Sequence, residues 1–501
     1  MIFLLLTGYA VLHFSRRYGI SVLVAFLFCV YTFTNAGHFH IVDEVSLFAV
    51  TESLALRGSV DTNAIAWTQW VNSPGEVLGA FGNDGKVYSK KGPAPAFLAV
   101  PWYALLRSFA RLDINFGLLQ AALLWNGLVT AATAALLWLT AVRLGYTDRT
   151  GMILGVLFGI TTIAWPYANH FFGEPLSALA LLACYYGILS WHQSHSYGWL
   201  WLGGIGGGIA ITTVTAHLPL ILILEIYLFY VTWQEVRKPR AAPVRTKGRA
   251  PQETLPSTTL AWGAFHFLAP IALAGMLLLW YNLVRFGNPF ATGYHFESGE
   301  GFTTPIWQGL WGLLLSPYRG IFWHTPLFIA TLIAFPRFWR RHRSDGVVLL
   351  ALTVTLVVLY SLWWMWWGGY AWGPRFLVPL TPFLVLVLGE LLESGVQEET
   401  QSGWRAPPET TPNQPYQSVV AQSAETGITR YDASFAATAQ DLAQARTVIP
   451  IWLGGLAALS TVVQILAVSL NYVNYETQLR SLFPTDWRNP LAYGPPAQAI
   501  S

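Results

Sequence analysis

Two histidines and two acids stand together at the point where an apolar run ends. Residues 19–36 read GISVLVAFLFCVYTFTNA, and the following stretch, HFHIVDEVSLFAV, places His38, His40, Asp43 and Glu44 at its edge. Imidazole beside carboxylate is a ligand set that suits zinc or manganese, and a carboxylate can take a proton from a hydroxyl group. Further charged residues recur at the ends of later apolar runs. YSKKGP carries Lys90 and Lys91, WPYANHFFGEP carries His170 and Glu174, SPYRG carries Arg319 and GGYAWGPRF carries Arg375. If these segments converge on one cavity, acids face cations there.

The elements that must bring them together are membrane helices. Hydrophobic residues make up 54% of the 501 and charged residues only 11%, against about 25% charge in a soluble domain. A crossing needs about 20 apolar residues. Eleven stretches qualify: 19–36, 117–142, 151–168, 175–191, 197–215, 218–233, 260–283, 320–336, 346–366, 376–394 and 448–470. The expected fold class is an all-α polytopic membrane protein with about eleven transmembrane helices. Simple alternation puts Arg16–Arg17, Arg143 with Arg149, the loop VRKPRAAPVRTKGRAPQET and the segment RFWRRHR on one side, as the positive-inside tendency requires. The stretches 37–116, 169–174, 284–319, 367–375 and 471–501 then lie outside. PAPAFLAVPWYALLRSFA, 93–110, is apolar but broken by three prolines, and counting it as a crossing would scatter the basic loops. It reads as an interfacial or re-entrant helix.

Three regions follow. Residues 1–394 form the membrane domain, 395–447 a polar, flexible cytoplasmic loop, and 448–501 a final span with an outer tail. The N-terminal MIFLLLTGYAVLHF lacks a basic start and a small-residue cleavage site, so it is expected to be retained. Cys29 and Cys184 lie in apolar segments, and no disulfide is expected. Charges near the bilayer are costly, about 2.5–3.5 kcal/mol each at a helix centre, which makes them candidates for function. The net charge of +3 reports orientation and gives no ground for a nucleic-acid partner. WWMWW at 363–367 is expected at the outer interface.

An acidic pair just after the first span, a Lys-Gly-Pro stretch before an interfacial helix, and a second acid in FFGEPLSALALL opening a later span resemble the GT-C class of membrane glycosyltransferases. The relatives are protein O-mannosyltransferases and bacterial aminoarabinose transferases of the family 39 type. NPFATGY, GLLLSPYRGIFWHTP and GYAWGPRFLVPLTPF look like segments of a bacterial subgroup of that class. The resemblance covers residues 19–395. It implies a polyprenyl-phosphate sugar donor, a hydroxyl acceptor on a glycan, lipid or protein, and work on the outer face of the plasma membrane.

That resemblance assigns roles. Asp43 is the expected base, which accepts the acceptor's proton while the lipid phosphate leaves from the opposite face, with inversion. Glu44 steers the base or binds the acceptor, and Glu174 orients the acceptor or assists a metal. Lys90, Lys91, Arg319 and Arg375 are candidates for the donor phosphate, Arg375 because a guanidinium grips two oxygens at once. Tyr88 and Tyr294 are candidates for stacking on the sugar or bonding the phosphate. A divalent metal, Mn, Mg or Zn, is a candidate cofactor, with His38, His40 and His170 beside the acids; His324 is a weaker candidate.

Blander roles compete. Asp43 can cap a helix 44–57, Glu44 and Glu174 can be first-turn acids favoured by the helix dipole, the lysines can snorkel, and Arg319 can meet a lipid headgroup. His217 and His266 read as structural, and Glu225 as paired inside the bundle. A transporter or flippase is the rival function; it would want broken helices and charges at mid-membrane.

Overall fold

The computed structural model describes residues 16–66, 79–112, 114, 117–237, 258–294, 300–369, 371–393 and 450–469. The expected loop 395–447, the tail 471–501 and the leading segment lie outside the described residues.

Arg16–Thr34 (α1) is followed by Val42–Arg57 (α2) and the short Asn63–Ala66 (α3). A hairpin of Ala80–Phe81 (β1) and Val87–Tyr88 (β2) leads into Pro93–Ala110 (α4). The next hairpin of helices is Leu118–Leu123 (α5) continuing as Trp125–Arg143 (α6), then Asp148–Thr161 (α7) and Ala164–Ala168 (α8). Glu174–Ser194 (α9), Tyr197–Thr213 (α10), Leu218–Arg237 (α11) and Thr259–Phe286 (α12) complete the middle of the bundle. Ile306–Leu314 (α13), Ile321–His324 (α14), Phe328–Arg341 (α15) and Arg343–Leu362 (α16) precede a 3-10 turn Arg375–Leu380 and Thr381–Leu386 (α17). Ile451–Ser469 is α18.

Among the described residues the fold is all-α apart from that hairpin. Among the described residues, seven helical stretches are long and apolar enough to cross a membrane: 16–34, 118–143, 215–237, 259–286, 343–362, 375–393 and 451–469. The count of eleven is not reproduced on that measure, and two of the expected spans are broken. The stretch 151–168 divides at Thr162–Ile163 between α7 and α8, and 320–336 divides at Thr325–Leu327 between α14 and α15. Pro93–Ala110 is a continuous helix outside those seven, with Pro93 at its start where a missing N–H costs nothing.

The core centres on α9, which is buried along nearly its whole length. Glycines in α10 let backbones come close: a side chain at Gly204 would overlap the Phe267 carbonyl on α12. The two ends of the bundle differ. At one end Arg16 grips Asp148 through two bonds of 2.5 and 2.8 Å, Arg143 bonds Gln193, and Arg341 lies 3.6 Å from Glu390. At the other end α1 finishes, α2 and α9 begin, α12 finishes and the 3-10 turn starts. Arg16, Arg143 and Arg341 thus share one end, while residues 238–257 of the basic loop lie outside the described residues.

Cys29 and Cys184 are free. Trp366 departs from the interfacial expectation: it is buried and packs on Gly312 and Tyr318. Glu225 is half-buried on α11 and has no ion pair among the described residues, so the expected partner inside the bundle is not seen there. His217 and His266 bond backbone carbonyls of their own segments, as structural histidines do.

Candidate functional site

Successive residues of a helix point about 100° apart, and the first turn of α2 uses that angle. Its N-cap is Ile41, extended and without a side-chain cap, so Asp43 is not the capping residue but sits inside the first turn. Asp43 faces a cluster of cations, while Glu44, about 100° round the helix, faces two imidazoles.

On the Asp43 side, Oδ2 accepts from Lys91 Nζ at 2.9 Å and from Arg375 Nη2 at 2.8 Å. Arg375 also lies 3.3 Å from Glu174 Oε1 through its Nε, so one guanidinium joins both acids. Its Nη1 is buried and makes no hydrogen bond among the described residues. The guanidinium lies over the Phe172 and Phe376 rings at 5.0 and 4.9 Å. Gly368, at φ 79°, makes room for it: a side chain there would meet the Arg375 Cγ at 2.9 Å. Lys91 reaches the Tyr294 hydroxyl at 3.4 Å, and Lys90 lies over the same ring while pairing with Glu300 at 3.3 Å.

Burial works to raise the Asp43 pKa, but the Lys91 and Arg375 charges outweigh it and hold the carboxyl well below the ordinary range. Burial likewise opposes the Lys91 ammonium, and Asp43 overrides it, so Lys91 titrates above its ordinary value. Asp43 is about a quarter exposed, so the cluster opens to solvent on one side.

On the Glu44 side, the carboxylate is fully buried. It accepts from the Phe171 and His40 backbone N–H groups at 3.1 and 3.2 Å, and lies 3.2 Å from His170 Nδ1. Ligand atoms of His40, Glu44 and His170 all lie within 4.8 Å of one another. Burial pushes His40 down to about 3, which keeps its ring neutral, as a ligand must be. The donor set of two imidazoles and a carboxylate therefore fits a divalent cation. His38 packs on His40 at 4.6 Å, and a cavity of about 140 Å³ lies beside them, lined by His38, His40, His170, Thr34 and Asn169.

Several sequence candidates go elsewhere. Tyr88 is buried, and its hydroxyl donates to Asp84 at 2.9 Å rather than to a member of the Asp43 cluster. Arg319 is buried and spends its donors on the Ala371 and Gly369 carbonyls, the latter at 2.8 Å, so it braces the loop before Arg375. Lys90 is held by Glu300 rather than Asp43. His324 bonds the Gly320 carbonyl and stacks edge-on to Trp372, which makes it a fold residue. Residues overlooked in the sequence complete the frame. Asn126 Nδ2 bonds the His170 and Phe172 carbonyls at 2.5 and 2.7 Å and so fixes the loop before α9. An amide inside an apolar helix was a signal of its own, since such groups need partners in a membrane.

No family model matches the chain, and no characterised protein matches it in sequence. Its fold is shared with solved structures of membrane proteins. Among solved structures it is similar to ArnT from Cupriavidus metallidurans bound to undecaprenyl phosphate, with a TM-score of 0.51 and 14% identity, covering 93% of this chain and 79% of that one. It is also similar to the archaeal oligosaccharyltransferase AglB from Archaeoglobus fulgidus in complex with an inhibitory peptide and a dolichol-phosphate, with a TM-score of 0.45 and 12% identity over 96% of this chain and 60% of that one.

Proposed function

We propose that this protein is an inverting glycosyltransferase that moves a hexosyl or pentosyl group from a polyprenyl-phosphate donor to a hydroxyl acceptor. The acceptor hydroxyl oxygen attacks the anomeric carbon, its proton passes to Asp43, and the bond from that carbon to the phosphate oxygen breaks. The lipid phosphate departs with the electron pair. Lys91 and Arg375 balance its growing charge, and Glu174 keeps Arg375 aimed.

One observation carries this reading: a single carboxylate in direct contact with an ammonium and a guanidinium at the end of a membrane bundle. The arrangement also sets the order of events. With both cations upon it, Asp43 is a weak base. A phosphate entering between them draws Lys91 and Arg375 away, and the carboxylate regains basicity only when the donor is seated. The acid cluster lies at the bundle end opposite Arg16, Arg143 and Arg341; by the positive-inside tendency the reaction faces the extracytoplasmic side of the plasma membrane. The likeness to an undecaprenyl-phosphate-bound fold supports the donor class.

His40, Glu44 and His170 would hold a divalent cation, which would supply fixed positive charge and tie α2 to the loop before α9. A flippase would be expected to carry its charges at mid-membrane, whereas these acids and cations stand at helix ends. The test is turnover by the purified chain in detergent with polyprenyl-phosphate-linked hexoses and pentoses. Release of polyprenyl phosphate with an inverted glycoside, reduced about 10²–10⁴-fold in Asp43→Asn with folding retained, is the expected result. Full turnover by Asp43→Asn would overturn it.

A further inference from the structure

The ammonium of Lys91 meets Asp43 although the two belong to different elements, and a neighbouring serine accounts for the register. Ser89 is fully buried between β2 and α4, and each of its polar oxygens is engaged. Its Oγ accepts from the Ser46 hydroxyl at 2.7 Å and from the Lys91 backbone N–H at 3.1 Å. Its carbonyl accepts from Arg285 Nη1. Ser46 stands three residues after Asp43 on α2, hence on the same helical face. Arg285 ends α12, is buried, bonds Asn282 at 2.5 Å, and has no carboxylate partner among the described residues. Three elements thus close on one residue: α2 through Ser46, α12 through Arg285, and the turn that starts α4 through the Lys91 amide.

We infer that Ser89 is a positioning residue that sets the Lys91 side chain on Asp43, with Ser46 and Arg285 as its two anchors. A serine hydroxyl that bonds the backbone two residues on fixes the local turn, and here that turn is the one from which Lys91 projects. The Ser46 bond fixes the same turn to the helix that carries the acid. The point from which the lysine stem projects is therefore fixed relative to the carboxylate by short bonds through Ser89. The donor-phosphate role of Lys91 rests on the function proposed above; the geometry of the Ser89 junction does not.

The experiment reads Lys91 directly in the full-length protein. An amine-reactive ester labels surface-accessible lysines, and peptide mass spectrometry gives the ratio of Lys91 to Lys90 modification, with Lys90 as internal reference on the same peptide. Asp43→Asn sets the value for an unpaired Lys91. Ser89→Ala should raise the ratio at least threefold toward that value, Ser46→Ala should do so in part, and Arg285→Lys should change it less than Arg285→Ala. An unchanged ratio in Ser89→Ala overturns the inference, and so does an unchanged ratio in Asp43→Asn. A second arm measures undecaprenyl phosphate binding by native mass spectrometry. Ser89→Ala should weaken it about tenfold in the native background and have no further effect beside Lys91→Met, the signature of action through one side chain. Equal weakening in both backgrounds also overturns it. If the native protein binds no undecaprenyl phosphate, the donor reading fails while the labelling ratio still decides the role of Ser89.

Discussion

Arg375 and Asp43 are 332 residues apart in the chain and meet at 2.8 Å, with Glu174 on the same guanidinium at 3.3 Å. The planar fork of arginine is what allows one cation to serve two acids.

Arg375→Lys should therefore fail as a conservative change. A lysine can reach one acid, and the other is left with fewer partners in a poorly hydrated place. We expect kcat/KM for the donor to fall about 10²-fold or more, as for loss of a transition-state donor. Arg375→Ala should also lower the melting temperature, since removing one partner of a buried ion pair costs about 3–5 kcal/mol. Steady-state kinetics and thermal unfolding in detergent check both.

The ion pair sets a pH window. Asp43, with an ordinary value of 3.8, titrates lower in the folded protein. Its contribution is present above that ordinary value and is lost as pH falls through the folded one. Lys91, ordinarily 10.5, titrates higher, so its contribution is full below that value and is lost as pH rises through the folded one. Stability should stay level between about pH 5 and about pH 9 as far as this pair is concerned. Lys91→Met removes one of the two cations on Asp43, and the acid limb of the activity profile should move to higher pH. An unmoved limb would mean that Asp43 is not the titrating base.

The pocket of His40, Glu44 and His170 should retain one equivalent of zinc or manganese after purification without chelator, read by elemental mass spectrometry. His170→Ala should lose most of it, and Asp43→Asn should keep it, because Asp43 faces away. Retention by His170→Ala would show that the cation sits elsewhere.

Two sequence candidates should behave as fold residues. Tyr88→Phe removes only a bond to the exposed Asp84, and turnover should change less than about twofold. Arg319→Ala removes a donor to the buried Ala371 carbonyl and one of two donors to the Gly369 carbonyl, and should cost about 1–3 kcal/mol of stability, with donor KM moving less than stability does.

Much of the site was legible because each of its charges stands where an apolar run stops. In a membrane protein that point fixes depth along the helix axis, so Asp43, Glu174 and Arg375 were bound to share a level. Which of them touch was not encoded locally. Arg319 and Arg375 both follow a proline in glycine-rich loops, and only the path of the chain sends one to Asp43 and the other to backbone carbonyls. The Tyr88–Asp84 bond had no local signal, because the hairpin turn that brings Asp84 under the ring is set by chain path. Ser89 gave no signal, since a buried serine looks like any other. The breaks at Thr162–Ile163 and Thr325–Leu327 vanished because hydrophobicity averaged over a span is blind to where the helix stops and restarts.

The neighbouring acids at the start of α2 point about 100° apart, one to the cations and one to the imidazoles. Exchanging them, aspartate for glutamate at 43 and the reverse at 44, preserves composition, charge and helix dipole, yet it lengthens the arm toward the cations and shortens the one toward the imidazoles. Each chamber is cut to the reach of its own carboxylate, and the sequence order of two nearly identical residues is thereby a dimension of the protein.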